Sequence, residues 1–412
     1  MATVSIDRLQ PGVFISLENI RWLDHPFLLN RFRIADAKQI QVLREMGLKT
    51  IEWDPGRSTI APLPESTPRE EEIDFGADAL KTMLSDKRGR TAKVTEQRER
   101  LARCERLFEQ ETGTIGQVLR DLDSQPNEAH GRGKVVVDRL VSGLINSSSV
   151  AVHLVNLKSM EPGPAHHAMN VMVLALLIGK TIGLDAEEMK MLGLGALFHD
   201  IGKVEIPARV LRNANRTPAE EQFYQSHVGY GIKNIVRVRD IAVPIKNVIA
   251  CHHERWDGQG FPNKLTGAKI PKPARIVAIA NRYDNLCNPF DLKAARTPAE
   301  AVAHMFKQEN GAFEPELLQA FVKALGVYPP GSFVTLNDGT VGLVIESNSK
   351  DLLRPLIMLY DASVPRGEAL LIDLRDTDVK IDSAANPAKL PLEVVEYLAP
   401  RGRVDYYIDG AT

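Results

Sequence analysis

"MLGLGALFHDIGKVEIP", residues 191–207, reads as a largely apolar helix that ends on His199 and Asp200. A charged aspartate at the end of a buried helix is costly unless it is paired or bound to a cation. The adjacent imidazole and carboxylate can reach one metal ion, and the two oxygens of Asp200 can bridge two. Lys203 follows three residues on, where it can orient a water or hold a phosphate. Alone, the pair fits a capped helix terminus with a surface histidine equally well, so the other histidines have to decide.

Seven of the ten histidines fall within residues 153–253. In "PAHHAMNVMVLALLIGK" (164–180), His167 opens an apolar helix and points into the same interior if the two helices pack antiparallel; His166 is expected to be exposed. His227 lies in "FYQSHVGYGIKNI", where a structural histidine is the competing reading. His252 and His253 end the apolar run "IKNVIACHH". Two adjacent imidazoles at a buried end can serve different ions, or one an ion and one a substrate. "PKPARIVAIANRYDNL" (271–286) is an apolar helix that carries Asn281 and Asp284, the latter a ligand or a partner for an arginine. Imidazole plus carboxylate, without thiolates, suits Fe, Mn, Ni, Co or Zn. A paired site would make a bound hydroxide near neutral pH and neutralise phosphate charge, the two needs of phosphodiester hydrolysis.

The whole chain is 412 residues with a formal net charge of -2 and 44% hydrophobic residues, enough for two or three domains with real cores. That charge balance gives no case for binding long nucleic acid, although a small anionic ligand needs only local positive charge. Cys104, Cys251 and Cys287 are far apart and read as free thiols in a reducing compartment. The start, "MATVSIDRLQPGVF", shows no apolar leader core, and the longest apolar run, "VMVLALLIG", is about half of what a bilayer span needs. The expectation is a cytoplasmic protein without a membrane span.

Five segments are expected. Residues 1–62 form a small α+β domain, with strands at "GVFISL" and "KTIEW" and a helix ending at Gly47. Residues 63–87, proline-rich and acidic, form a linker. Residues 88–129 form a long amphipathic helical connector, a candidate dimer contact. Residues 130–327 are almost wholly helical, and "TPAE" at 217–220 and 297–300 marks two capping boxes with proline at the first helical position. Residues 328–412 form a β-rich C-terminal unit with a hairpin turn at "NDG", 337–339.

The ordered set of His167, "HDIGK", His227, "HHERWDGQGFP" and "ANRYDNL" resembles the HD-GYP domain, a branch of the HD phosphohydrolase superfamily, over roughly 130–327. The N-terminal part resembles the uncharacterised domain that often precedes it. The resemblance implies a mainly α fold: an all-helical HD-type domain with a small α+β N-terminal domain and a small β-rich C-terminal unit. It implies two divalent transition metal ions, Fe or Mn first, with Ni, Co or Zn as alternatives. Carried over by motif, the ligands are His167, His199, Asp200, His227, His252 and His253, with Asp200 bridging and catalytic. Lys203 assists the attacking water or a phosphate. Three positions depart from the family: Asn281 replaces an aspartate ligand, Gly163 replaces a glutamate found in three-metal members, and "NPFD" at 288–291 lacks arginines. Lys203, Arg255, Arg282 and Asp284 remain as candidate substrate contacts. The loop residues Asp257, Gly258, Gly260, Phe261 and Pro262, within 254–262, are expected to fix the rim of the site and to support contacts with GGDEF-domain proteins. The activity implied is hydrolysis of cyclic di-GMP to pGpG, and in some members to GMP, by a bridging hydroxide on a dinuclear centre. A catalytically weak cyclic di-GMP sensor and a phosphohydrolase of another cyclic dinucleotide or nucleotide are the alternatives.

Overall fold

The computed structural model describes residues 2–17, 19–20, 25–27, 30–64, 76–146, 152–155, 163–309, 311–348, 351–362, 364–399 and 404–408. It divides into two compact units, residues 1–99 with 361–365, and residues 100–360 with 366–412.

The first unit contains strands β1 (Ala2–Ser5), β2 (Phe14–Ser16) and β3 (Arg31–Arg33), helix α1 (Ala37–Glu45) and strand β4 (Thr50–Trp53). The strands form an antiparallel sheet in the order β1-β4-β2-β3. Asp36 caps α1 by accepting from Gln39 N at 3.0 Å. The helix stops at Gly47, whose φ of +74° glycine adopts without steric cost. Val13, Ile15, Leu17 and Leu43 are buried at its core. Strands β2 and β4 and helix α1 fall at "GVFISL", "KTIEW" and the expected helix, whereas β1 and β3 were not expected.

Helix α2 (Gly76–Asp121) begins inside the segment expected to be a linker. Strong helix formers such as Ala77, Ala79, Leu80 and Lys81 carry it back past the charged stretch. Residues 65–75 of that segment lie outside the described residues.

The second unit is built on α3 (Pro126–Asn146), strand β5 (Val152–Val155), α4 (Pro164–Thr181), α5 (Ala186–Phe198), α6 (Ala208–Arg212), α7 (Pro218–Gln225), α8 (His227–Ile235), α9 (Val243–Cys251), α10 (Lys272–Cys287), α11 (Pro298–Lys307) and α12 (Pro315–Leu325). Helix α4 is buried from Ala168 through Gly179, and α5 from Leu192 through Phe198. Helices apolar all round belong in a core, and α4 packs on α5, α5 on α9, and α10 on both α4 and α9. A Cβ at Gly195 would stand 2.7 Å from Val248 Cγ2, so glycine lets α5 and α9 approach closely. Both "TPAE" segments form the expected capping boxes, at α7 and α11.

Strands β6 (Phe333–Leu336), β7 (Val341–Glu346), β8 (Leu356–Leu359), β9 (Leu371–Asp373) and β10 (Ile381–Ala384), helix α13 (Leu392–Leu398) and strand β11 (Asp405–Ile408) follow. The sheet runs β10-β6-β7-β5-β11, with β8 on β7 and β9 on β8. "NDG" makes the β6–β7 hairpin turn, with Gly339 at φ +83°. Here the structure differs from the expected segments. Strand β5 comes from inside the range read as helical, and it pairs antiparallel with β11. Tyr406, Tyr407 and Ile408 are buried within the helical core. The tail is therefore a layer of the second unit, because burial of Tyr406 and Tyr407 removes large apolar area from water. Among the described residues no helix is long and apolar enough to cross a membrane.

Candidate metal centre

Three helices deliver a histidine at the place where their backbone hydrogen bonding runs out. His199 caps α5, His227 follows α7, and His252 caps α9. The last carbonyls of a helix lack intrahelical partners, and these imidazoles supply them. His199 Nδ1 donates to Ala196 O at 2.6 Å, His227 Nδ1 to Tyr224 O at 2.6 Å, and His252 Nδ1 to Ile249 O at 3.0 Å. A carbonyl only accepts, so the proton is on Nδ1 and each Nε2 presents its lone pair inward. One local contact thus fixes the tautomer, the ring orientation and which nitrogen faces the cluster.

All three Nε2 atoms converge on Asp200, and they divide between its oxygens. His199 Nε2 and His167 Nε2 stand 3.3 and 3.4 Å from Oδ2. His227 Nε2 and His252 Nε2 each stand 3.5 Å from Oδ1. Two groups that can hold an ion result: His167, His199 and Asp200; and Asp200, His227, His252 and His253. Asp200 is their common member.

His167 is held differently. Its Nδ1 lies 2.6 Å from Asp284 Oδ2, and Asp284 is buried beneath it. Asp284 was expected to contact substrate; the structure instead makes it the orienting partner of His167, since burial in α10 removes it from any ligand. His166, expected to be exposed, is buried against Phe108, with ring centroids 5.7 Å apart. His167 is the more exposed of the pair because it starts the face that looks into the cluster.

The electrostatics suit cations. Burial holds the His199, His252 and His253 imidazoles below the ordinary value, and lowers His227 to about 4. They are neutral at neutral pH, the form that binds metal. Burial also opposes charge on His167, but hydrogen bonds to Asp200 and Asp284 prevail and raise it to about 9. Burial would raise the Asp200 carboxyl, yet Lys203 and the surrounding imidazoles hold it well below the usual range. Lys203 Nζ donates to Asp200 Oδ2 and sits 5.7 Å from the centre of the Tyr224 ring. Asp200 Oδ1 and His253 Nε2 are buried without a hydrogen-bond partner. Orphaned buried acceptors of this kind call for an ion, and five imidazoles with one shared carboxylate are the donor set of a borderline transition metal.

The other expected residues fall into place around this cluster or away from it. Asn281 is buried one turn before Asp284, and its Oδ1 accepts from Asn285 Nδ2 at 2.6 Å. Arg255 and Arg282, expected as anion contacts, are engaged by acids. Arg255 Nη2 donates to Asp257 Oδ2 at 2.7 Å, and Arg282 Nε to Glu309 Oε1 at 2.9 Å. In the loop after His253, Phe261 stacks on the His253 ring with centroids 4.4 Å apart. Asp257 and Pro262 are exposed, Gly258 takes a φ of +76°, and Gly260 is buried. A Cβ at Gly260 would stand 2.5 Å from His253 O, so only glycine lets the loop fold back on the histidine. Glu254, which sequence reading passed over, is buried and ties the loop by accepting from Asn263 N at 2.7 Å and Leu265 N at 2.9 Å.

Gly202 of "HDIGK" has a spatial reason. A Cβ there would meet His227 O at 1.9 Å and Gly231 N at 2.4 Å. The short 3-10 turn Ile201–Glu205 thus lies directly on α8, which sets Asp200 against His227. Gly202→Ala is expected to lower stability by about 2–3 kcal/mol, the upper range for overpacking. Urea unfolding checks this; an unchanged midpoint would contradict the close approach.

Residues 148–317 match the family model described as HD domain, and residues 2–130 match the domain of unknown function DUF3391. The chain is 27% identical over 361 residues to a cyclic di-GMP phosphodiesterase of Pseudomonas aeruginosa, covering 87% of this chain and 84% of that one. It is 28% identical over 234 residues to the cyclic di-GMP phosphodiesterase response regulator RpfG of Xanthomonas campestris pv. campestris, covering 55% of this chain and 58% of that one. It is 32% identical over 171 residues to the 3'3'-cGAMP-specific phosphodiesterase 2 of Vibrio cholerae, covering 41% and 32%. The chain therefore spans less than two thirds of the Xanthomonas and Vibrio relatives. Among solved structures, an HDG"Y"P protein from Bdellovibrio bacteriovorus aligns with a TM-score of 0.46 at 16% identity, covering 78% of this chain and 97% of that one. The histidine and aspartate cluster at the helix ends thus lies within the match to the HD domain at residues 148–317, which follows the match to DUF3391 at residues 2–130.

Proposed function

We propose that this chain is a metal-dependent phosphodiesterase that hydrolyses cyclic di-GMP, with pGpG or GMP as the product. The observation that carries the reading is Asp200, one carboxylate whose two oxygens face two separate sets of imidazoles. Two divalent transition ions would be held there, one by His167, His199 and Asp200, the other by Asp200, His227, His252 and His253. When bound, such ions lower the pKa of water and neutralise phosphate charge. The chain's own residues supply the rest. The Nδ1 contacts keep three imidazoles in the ligand tautomer, so little reorganisation is needed at the moment of reaction. Lys203 holds a positive charge beside Asp200, where it can meet a phosphate oxygen. Phe261, stacked on His253, covers that ring with apolar surface. Asn281 offers an uncharged oxygen where an aspartate would add charge, which bears on metal choice. Arg255 and Arg282 would have to leave their acidic partners to reach an anion. Exposed Asp257 and Pro262 keep the 254–262 loop available for a GGDEF-domain partner.

A second substrate is supported by the Vibrio relative, a 3'3'-cGAMP-specific phosphodiesterase. Metal analysis by mass spectrometry on anaerobically purified protein, with product analysis after incubation with each dinucleotide, tests the reading. About two ions per chain and pGpG or GMP from cyclic di-GMP are expected. Faster turnover of 3'3'-cGAMP would reassign the substrate. Bound metal and bound nucleotide without turnover would make the protein a receptor on a hydrolase scaffold.

A further inference from the structure

Asp284 links the metal centre to the C-terminal strand. Its Oδ2 holds His167, while its Oδ1 accepts from Asn170 Nδ2 and from Asn288 Nδ2, each at 2.8 Å. The same two amides seize the start of β11. Asn288 Nδ2 donates to Val404 O at 2.7 Å, and Asn288 Oδ1 accepts from Val404 N at 2.9 Å, pairing with residue 404 as a neighbouring strand would. Asn170 Oδ1 accepts from Tyr406 N at 3.0 Å, and its Nδ2 is shared with Val404 O at 3.2 Å and Asp405 Oδ1 at 3.1 Å. The strand is itself seated deeply: Tyr406 is fully buried, its hydroxyl lies 2.8 Å from that of Tyr283 on α10, and β5 pairs along it.

We propose that Val404–Tyr406 is a positioning element of the metal centre, acting through Asn288 and Asn170 on Asp284 and so on His167. The other contacts explain why this one ring needs distant support. His199, His227 and His252 are each oriented by a carbonyl three residues back, at the end of the helix that precedes them. The orienter of His167 is a side chain 117 residues distant, and among the described residues the two amides hold its other oxygen. Asn288 stands first in the "NPFD" quartet, so a position without arginine carries a different task here, joining tail to centre.

The inference rests on the reading of these imidazoles as ligands. Loss of a ligand's orienting partner typically weakens metal binding about 10–100-fold. The test is titration of the metal-stripped full chain with Mn²⁺, comparing wild type, Asn288→Ala and Val404→Pro. Both variants are expected to weaken one ion by about 10–100-fold and leave the other at wild-type affinity, and the surviving ion should vanish when His227→Ala is added. Val404→Pro removes the backbone donor to Asn288 Oδ1 and leaves every residue of α4 and α10 unchanged, so it serves if Asn288→Ala does not fold. Two ions held as tightly as in wild type would overturn the proposal, as would equal weakening of both. A wild-type chain that takes up no Mn²⁺ would sink the ligand reading, and this inference with it.

Discussion

Asp200→Ala should strip both ions from the protein and reduce kcat/KM for cyclic di-GMP by at least about 10³, because removing a single charge-stabilising group already approaches that factor. No other residue in the cluster has this reach. Loss of His199 or His252 takes one donor from one group, whereas Asp200 belongs to both. Two further facts keep the result interpretable. The Asp200 side chain is only 15% exposed, yet Lys203, its partner, is 24% exposed and can turn its ammonium to water once the carboxylate is gone. The variant should therefore fold, which far-UV circular dichroism would register. Asp200→Asn keeps the shape but only one oxygen, uncharged, with an amide NH2 in place of the other, so it can serve one group and should retain part of the metal and little of the rate. Elemental analysis of the purified variants is decisive: full metal content in Asp200→Ala would remove Asp200 from its shared role.

The site was legible in the sequence to the extent that its chemistry is local. His199 and Asp200 end an apolar helix, His252 ends another, His227 stands where α7 gives way to α8, and each of these three imidazoles is fixed by a carbonyl three residues back. A histidine at a helix end is visible in a string of letters. What could not be read depends on pairing across the chain. Asp284 was a charge on an apolar helix with no partner in sight; its partner His167 lies 117 residues earlier. Asn170, a polar residue inside "AMNVMVL", was the available hint that something polar faces α4 from outside. Strand β5 is four residues, "VHLV", too short to show a period, and it becomes a strand because β11 pairs with it. The tail looked separable because alternating residues begin after Gly326, but its tyrosines complete the helical core. Glu254 sat beside two histidines and drew no attention, although its two backbone contacts, charge-assisted and worth about 1.5–3 kcal/mol each, hold the loop after His253.

Metal-free protein should lose stability steeply as pH falls from 6.5 towards 4, and His227 carries much of the effect. Its folded pKa is lowered by burial from 6.5 to about 4. As acid is added, the unfolded chain takes up this proton first, so the stabilisation is whole above 6.5 and is lost on the way down. The difference is worth about 3 kcal/mol, a large share of a typical folding free energy. His199, His252 and His253 are shifted the same way by burial and deepen the loss. His167 acts with the opposite sign. Burial disfavours its charge, but Asp200 and Asp284 raise its pKa to about 9, so its contribution is present below 6.5 and fades as pH rises through 9. Urea titrations of chelator-treated protein at steps between pH 4 and 9 should therefore give a maximum near neutrality. His227→Gln should flatten the acid limb and spare the alkaline one. A flat acid limb in the native sequence would mean that these imidazoles are not held neutral by burial. The same protons govern metal uptake. Because His167 must give up its proton to become a ligand, loading its group at pH 7 should release a proton, while loading the His227 group should release none.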